Sequence, residues 1–279
     1  MGIMFPVHSR QMNFLQWIGA KLSPSDTKAE STGDVYRLIR VSQALLTSEE
    51  YEKARALLLP AIASRDRLQD PAVINYILTA LETTWLFTER YEDGIEFFSE
   101  YISAYPEDSA AYQARAATLW YAGRLQEAIR DYSRALELNP RDIFSLSGRG
   151  QVLAEGGDNV RAMEDLNFAL QTLKTVSMPD SNLAEWYKQA EAFVRNGKGF
   201  ALAGLGERES AMDEFEQSLR LSPENAWVYH NRAQVYERAG NKEKATADYQ
   251  KALVAQKPPL NPIRQKHAQE RLRELSNSL

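Results

Sequence analysis

Residues 109–140 read SAAYQARAATLWYAGRLQEAIRDYSRALELNP, and their spacing predicts two antiparallel helices. Tyr112, Ala116 and Leu119 recur at intervals of four and three, so they share one stripe of a first helix, which Gly123 ends. Ala128, Tyr132, Ala135, Leu136 and Leu138 repeat the spacing in a second helix, and Pro140 closes the unit because proline cannot continue a helix interior. Small side chains at 116, 128 and 135 let two backbones approach, with Leu119 and Tyr132 filling the space between them. A hairpin of this kind keeps one apolar face uncovered and has to stack on a neighbour of its own kind.

Such neighbours recur at a step of 34 residues. A unit near 143 carries Leu146, Gly150, Leu153, Gly157, Ala162, Leu166 and Ala169, and one near 226 carries Tyr229, Ala233, Tyr236, Gly240, Ala245, Tyr249 and Ala252. Between them a unit near 192 holds Gly199, Leu202, Gly206, Ala211, Phe215, Ser218 and Pro223, displaced by an insertion at 177–191. Upstream, a unit near 75 has Leu78, Trp85, Gly94, Phe98, Tyr101 and Pro106, with Glu82 where a small residue is expected. A degenerate unit near 35 offers Leu38, Ser42, Leu45, Ala54, Leu58 and Ala61.

Small, small, aromatic, small and proline at fixed offsets within a 34-residue period resembles the tetratricopeptide repeat (TPR) family over residues 35–257. The resemblance implies an all-α, right-handed α-solenoid of about six TPR helical hairpins, one or two of them degenerate at the N-terminal end. Residues 1–34 then form an N-terminal amphipathic helix and polar linker, and 258–279 a C-terminal capping helix. The superfamily hosts many unrelated binding roles, so the resemblance specifies the fold more than the task.

Composition narrows the classes of function. A net charge of −5 gives no reason to expect nucleic acid, which favours a basic face. The chain has no cysteine, which removes disulfides, thiolate nucleophiles and cysteine metal sites. No apolar run of about 18 residues is present, so no transmembrane segment is expected.

Toward the start, Met12, Leu15, Ile18 and Leu22 share a helical stripe beside Phe14 and Trp17. This reads as a capping helix or docked tail, or else as a partner-docking or peripheral membrane contact through residues 8–22. Pro6 breaks the myristoylation pattern, and no secretory signal is legible, so a cytoplasmic protein is expected. Residues 23–34 read as a linker. In the insertion, Asn182 and Glu185 resemble a capping box, and a helix can run from Leu183 to about Leu205, extending the first helix of that unit; a kink near Gly197 is the alternative. Past KPPLNP, Ile263, Ala268, Leu272, Leu275 and Leu279 define the stripe of the last helix. Between Gln256 and Leu279, Lys257, Arg264, Lys266, Arg271 and Arg273 outnumber Glu270 and Glu274, either as a solvated face or as a basic docking patch.

Signs of catalysis are weak. Gly197–Gly206 fails the phosphate-loop register, since Gly199 and not serine or threonine follows Lys198. His8, His230 and His267 lack metal-ligand spacing, and the carboxylates fall mainly on helix faces expected to meet water. No enzyme activity, cofactor or metal is expected.

The resemblance also implies that first helices build a concave wall. Its slots map to Tyr76, Thr83, Phe87, Gln113, Trp120, Tyr121, Phe144, Gln151, Phe200, Trp227, His230, Asn231 and Gln234. The carboxylate clamp of chaperone-binding TPR domains needs lysine, asparagine and arginine where this chain has Gln113, Ala117, Gly148, Phe193 and Gly197, so it is absent. Trp, Phe, Tyr, Gln and Asn suggest instead an apolar or amphipathic segment held by ring contacts and amide hydrogen bonds. The expected function is a non-enzymatic adaptor or scaffold holding a protein or peptide partner. The competing reading is a subunit of a larger assembly that docks through its ends or convex face, with the groove partly filled by the N-terminal helix.

Overall fold

The computed structural model describes residues 30–68, 70–175, 181–255, 260 and 262–277, with backbone alone at 30–36, 67 and 181–186. Among these, all regular structure is helical. The hairpins pair α1 (Glu30–Thr47) with α2 (Tyr51–Ala63), α3 (Pro71–Phe87) with α4 (Tyr91–Ala104), and α5 (Ser109–Tyr121) with α6 (Leu125–Leu138). Then α7 (Ile143–Glu155) pairs with α8 (Asn159–Thr175), α9 (Ser181–Gly204) with α10 (Arg208–Leu221), and α11 (Ala226–Arg238) with α12 (Lys242–Val254). A last helix, α13 (Pro262–Ser276), follows. The described residues fall into two compact units, one running from 30 to 145 with 181–186, the other from 146 to 175 with 187–277.

The turn between the helices of each hairpin repeats one backbone device. Gly123, Gly157, Gly206 and Gly240 all take φ between 75° and 87°, a left-handed conformation that glycine adopts without a Cβ clash. The two upstream hairpins put Glu49 (φ 59°) and Glu89 (φ 55°) there. Their degeneracy is therefore local strain at the turn as well as weaker patterning. Entry into the first helices is capped by side chains: Asp70 accepts from the Ala72 N–H at 2.8 Å with Pro71 in the first turn, and Asn225 accepts from the Trp227 N–H at 3.0 Å.

First and second helices are buried differently. In α6 only Ala128, Asp131, Tyr132, Ala135 and Leu136 are buried, a single stripe, whereas α3 buries twelve of its seventeen residues. Close crossings rest on alanine and glycine. Ala128, Ala135, Ala211 and Ala245 are fully buried, and a Cβ on Gly199 would lie 2.9 Å from the Phe215 ring and 3.0 Å from the Ala211 carbonyl.

Three expectations need correction here. The polar linker to residue 34 is too long, because α1 is already helical from Glu30. Several carboxylates do not face water: Arg115–Asp131, Arg149–Asp165 and Arg232–Asp248 pair across their hairpins through two N–H···O bonds of 2.6–2.9 Å each. Lys198 and Arg195 share Glu214 in the equivalent place at 2.9 and 2.8 Å. Nor is the last helix a purely solvated basic face, since Arg264 is 1% exposed. The extension reading of the insertion corresponds to α9, a single 24-residue helix with no break at Gly197. The amphipathic stripe at 12–22 lies outside the described residues.

Candidate functional site

The assigned residues of the first unit sit at three depths. Tyr76 is buried against α1, its hydroxyl 3.1 Å from Ser42 Oγ and donating to the Ile39 carbonyl at 3.4 Å, and burial pushes its pKa up to about 12. Thr83 is buried and turns its hydroxyl back onto the Thr79 carbonyl at 2.9 Å, a local helix bond. Phe87 stacks on Tyr51 of α2 at 5.1 Å, which explains the run Trp85, Leu86, Phe87: two residues enter the core and the third meets a neighbouring hairpin. Tyr121 is buried with its ring 6.2 Å from Tyr91 of α4, and Trp120 is 1% exposed. Gln113 and Phe144 are half-buried.

Trp120 and Tyr121 are therefore not open groove residues, as the helix rotation from Leu119 suggested. The reason is geometric. A first helix in an isolated hairpin has one buried stripe, yet α5 lies against both α4 and α6 and beside the first helix α3, so most of its circumference is covered.

In the second unit the assigned residues other than Phe200 lie among polar partners. From α7, the buried Gln151 reaches the Phe193 carbonyl of α9 at 3.5 Å, and Gly197 is open enough to receive its amide, for a Cβ there would lie 2.7 Å from it. Asn196 of α9 accepts from Asn231 of α11 at 3.1 Å. Arg264 of α13 joins them: it donates to Asn231 Oδ1 at 2.6 Å and Glu155 Oε1 at 2.9 Å, with its guanidinium 4.3 Å from the Trp227 ring. His230 lies 3.0 Å from His267, and Gln234 lies 3.2 Å from the other ring nitrogen of His230. Phe200 is half-buried under the Arg238 guanidinium at 5.5 Å.

The groove assignment of Trp227, His230 and Asn231 is corrected by the same contacts. Trp227 is 4% exposed and His230 fully buried, because α13 lies over this face of α11. Arg264 was missed by sequence reasoning, although a signal existed. Arg264 stands 34 residues after His230 and Arg271 stands 34 after Glu237, which it pairs with, so α13 occupies the place of a further first helix. The histidines, set aside for lacking ligand spacing, meet 37 residues apart. Among the described residues no group of three metal-ligating side chains forms.

Comparison with known proteins agrees with this architecture. Models of the tetratricopeptide repeat match residues 109–142, 194–225 and 214–247. The chain belongs to the tetratricopeptide-repeat superfamily. Its fold is the all-α TPR solenoid class. Similar curated proteins include tetratricopeptide repeat protein 6 of Homo sapiens, 23% identical over 64% of this chain and 35% of that protein. Another is the DnaJ homolog subfamily C member 7 homolog of Schizosaccharomyces pombe, 30% identical over 43% of this chain and 25% of that protein. The chain thus spans about a third or less of these relatives. Among solved structures, the APC/C hetero-tetramer Cut9–Hcn1 superposes with TM-score 0.64 at 17% identity, covering 96% of this chain and 47% of that one. A thermophilic TPR protein of Thermus thermophilus gives 0.52 at 21% identity, covering 71% of this chain and 98% of that one. At these identities the likeness concerns the fold. That fold is a scaffold for protein–protein interaction, and no helix among the described residues is long and apolar enough to cross a membrane.

Proposed function

We propose that the chain is a non-enzymatic adaptor that holds a segment or helix of a partner protein against the first-helix face of its TPR hairpins, in a cytoplasmic setting. The observation that carries this reading is the partial exposure kept in that face by Gln113 and Phe144 in one unit and by Phe200 and Gln234 in the other, at slots where repeat patterning alone does not require those side chains. Gln113 and Gln234 supply amide hydrogen bonds, and Phe144 and Phe200 supply ring contacts. Tyr76, Thr83, Trp120 and Tyr121 in the first unit, and Gln151, Trp227, His230 and Asn231 in the second, are buried on first helices. No lysine–asparagine clamp stands in these slots, so the segment favoured is apolar or amphipathic and need not end in a carboxylate.

A second reading, a subunit docking through its end, is favoured by a separate feature. On α1 and the turn after it, Arg37, Arg40, Val41, Ala44, Leu45, Ser48 and Glu50 line an open cavity of about 410 Å³, and Val41 is 44% exposed. Photo-crosslinking amino acids separate the two. Placed at Gln113 and Gln234, they should capture the same protein, while probes at Glu96 and Glu137 on second helices capture little. Capture from Val41 alone favours end docking and overturns the groove reading.

A further inference from the structure

α13 lies on α11 as another first helix would, yet one contact there depends on protonation in a way a repeat interface does not. His230 is fully buried. Its Nδ1 lies 3.2 Å from Gln234 Nε2 and 3.4 Å from Arg264 Nη1, and both of those groups only donate. Nδ1 therefore accepts, the His230 proton sits on Nε2, and that N–H donates to His267 Nδ1 at 3.0 Å. Each ring is neutral, in one tautomer. A second proton on His230 points at two donors, and one on His267 Nδ1 points at the His230 N–H. Turning the Gln234 amide supplies an acceptor oxygen but leaves the Arg264 cation in place.

Nearby anions are committed elsewhere. Glu155 of α7 takes Arg264, and Glu237 of α11 takes Arg271 and the Tyr249 hydroxyl of α12. Asp248 of α12 is held by Arg232 of α11. From α9 the cluster receives Asn196, which does not titrate, and from α11 the Arg238 cation lies nearby. Glu237 and, on α13 itself, Glu270 both act on His267 to raise it, against burial, Arg264 and Arg271, which prevail.

We propose that the His230–His267 contact is a pH-sensitive latch, which holds α13 on the last hairpin when both rings are neutral and releases it on mild acidification. Burial, with the Arg264 guanidinium beside it, holds His230 well below the ordinary histidine range, and burial with Arg264 and Arg271 lowers His267. The sign follows from linkage. Above about pH 6.5 both rings are neutral whether α13 is docked or released, so docking is at full strength. As pH falls below that value the released state takes up protons that the docked state refuses. Docking then weakens by up to about tenfold per ring per pH unit, until the docked rings reach their own lowered values. Carboxylates with ordinary values near 4 titrate below this window. Release uncovers Trp227, Asn231 and Gln234, but the latch does not depend on that face binding a partner.

Because the chain has no cysteine, one introduced thiol reports alone. Ala268→Cys places it on the buried side of α13, and its maleimide labelling rate is divided by that of an unstructured peptide carrying the same cysteine, which removes the pH dependence of the thiolate. Between pH 6.5 and 5.5 the protection should fall by roughly tenfold to a hundredfold. In a separate chain Ala135→Cys, buried in the other unit, should keep its protection, and far-UV circular dichroism should not change. Adding His267→Gln, at a half-buried position that keeps an acceptor for His230, should cut the pH dependence to about tenfold or less; His230→Leu with His267→Leu should abolish it. Protection constant within about twofold in the Ala268→Cys chain, equal pH dependence with and without His267→Gln, or parallel loss at residue 135 each overturns the latch.

Discussion

Replacing Asp248 by alanine tests whether the ion pairs laid across successive hairpins hold the stack together. Asp248 and Arg232 side chains are 5% and 14% exposed, and two N–H···O bonds of 2.6 and 2.9 Å join them. Loss of one partner of a fully buried pair costs about 3–5 kcal/mol, mostly because the other charge is left desolvated. Here Arg232 keeps some access to water and lies 5.6 and 5.9 Å from the Tyr229 and Tyr236 rings, which partly offset that penalty, so about 2–3 kcal/mol is expected. The double change Arg232→Met with Asp248→Leu removes both charges, keeps the volume and should cost under about 1 kcal/mol. Urea unfolding followed at 222 nm gives the global value. Amide exchange in α11 and α12 gives the local one, which matters because hairpins of a repeat stack can open separately. A cost below about 0.5 kcal/mol for Asp248→Ala, or additivity of the two single changes in the double variant, refutes the reasoning.

Four further outcomes follow from the packing. Enlarging Ala128, Ala135, Ala211 or Ala245 to leucine should cost about 1–3 kcal/mol each in thermal or urea unfolding, since all four are fully buried at helix crossings. Gly199→Ala should destabilise: the Cβ gains about 1 kcal/mol of helix propensity but meets the Phe215 ring at 2.9 Å and the Ala211 carbonyl at 3.0 Å, and a more stable protein would contradict this. Glu89→Gly should raise the melting temperature, relieving a left-handed residue (φ 55°) at a cost of about 1–2 kcal/mol that is partly offset by the extra freedom glycine has when unfolded. Trp120→Ala and Trp227→Ala should each cost roughly 3–5 kcal/mol of stability, and a loss under about 1 kcal/mol in urea unfolding would return either ring to the open groove.

The hairpins were legible because each contains its own evidence: stripe, turn glycine and closing proline recur locally, and Gly123, Gly157, Gly206 and Gly240 all perform the conformational task that their position suggested. The identity of the open residues was not legible in the same way. A helical wheel drawn from Leu119 describes contacts within one hairpin, while the surroundings of Trp120 and Trp227 are set by helices from other repeats and by α13. The cross-hairpin ion pairs lay in plain sight as a basic residue followed sixteen positions later by an acidic one, at 115, 149, 198 and 232, but charge was read as solvating, and charges pair across elements at separations that helical periodicity does not address. The same limit hid the histidine pair and Arg264, which looked like part of a basic face until the step of 34 is carried into the last helix.

Hydroxyl-radical footprinting of the chain, with and without the partner captured by crosslinking, shows whether the first-helix face receives a partner protein. This method reads the exposure of individual side chains. Partner binding should protect Phe144, Phe200, Gln113 and Gln234 and leave the modification of the second-helix residues Phe97 and Phe168 unchanged. Protection confined to Phe97, Phe168 or the Val41 end, with Phe144 and Phe200 unaffected, would contradict binding at the first-helix face.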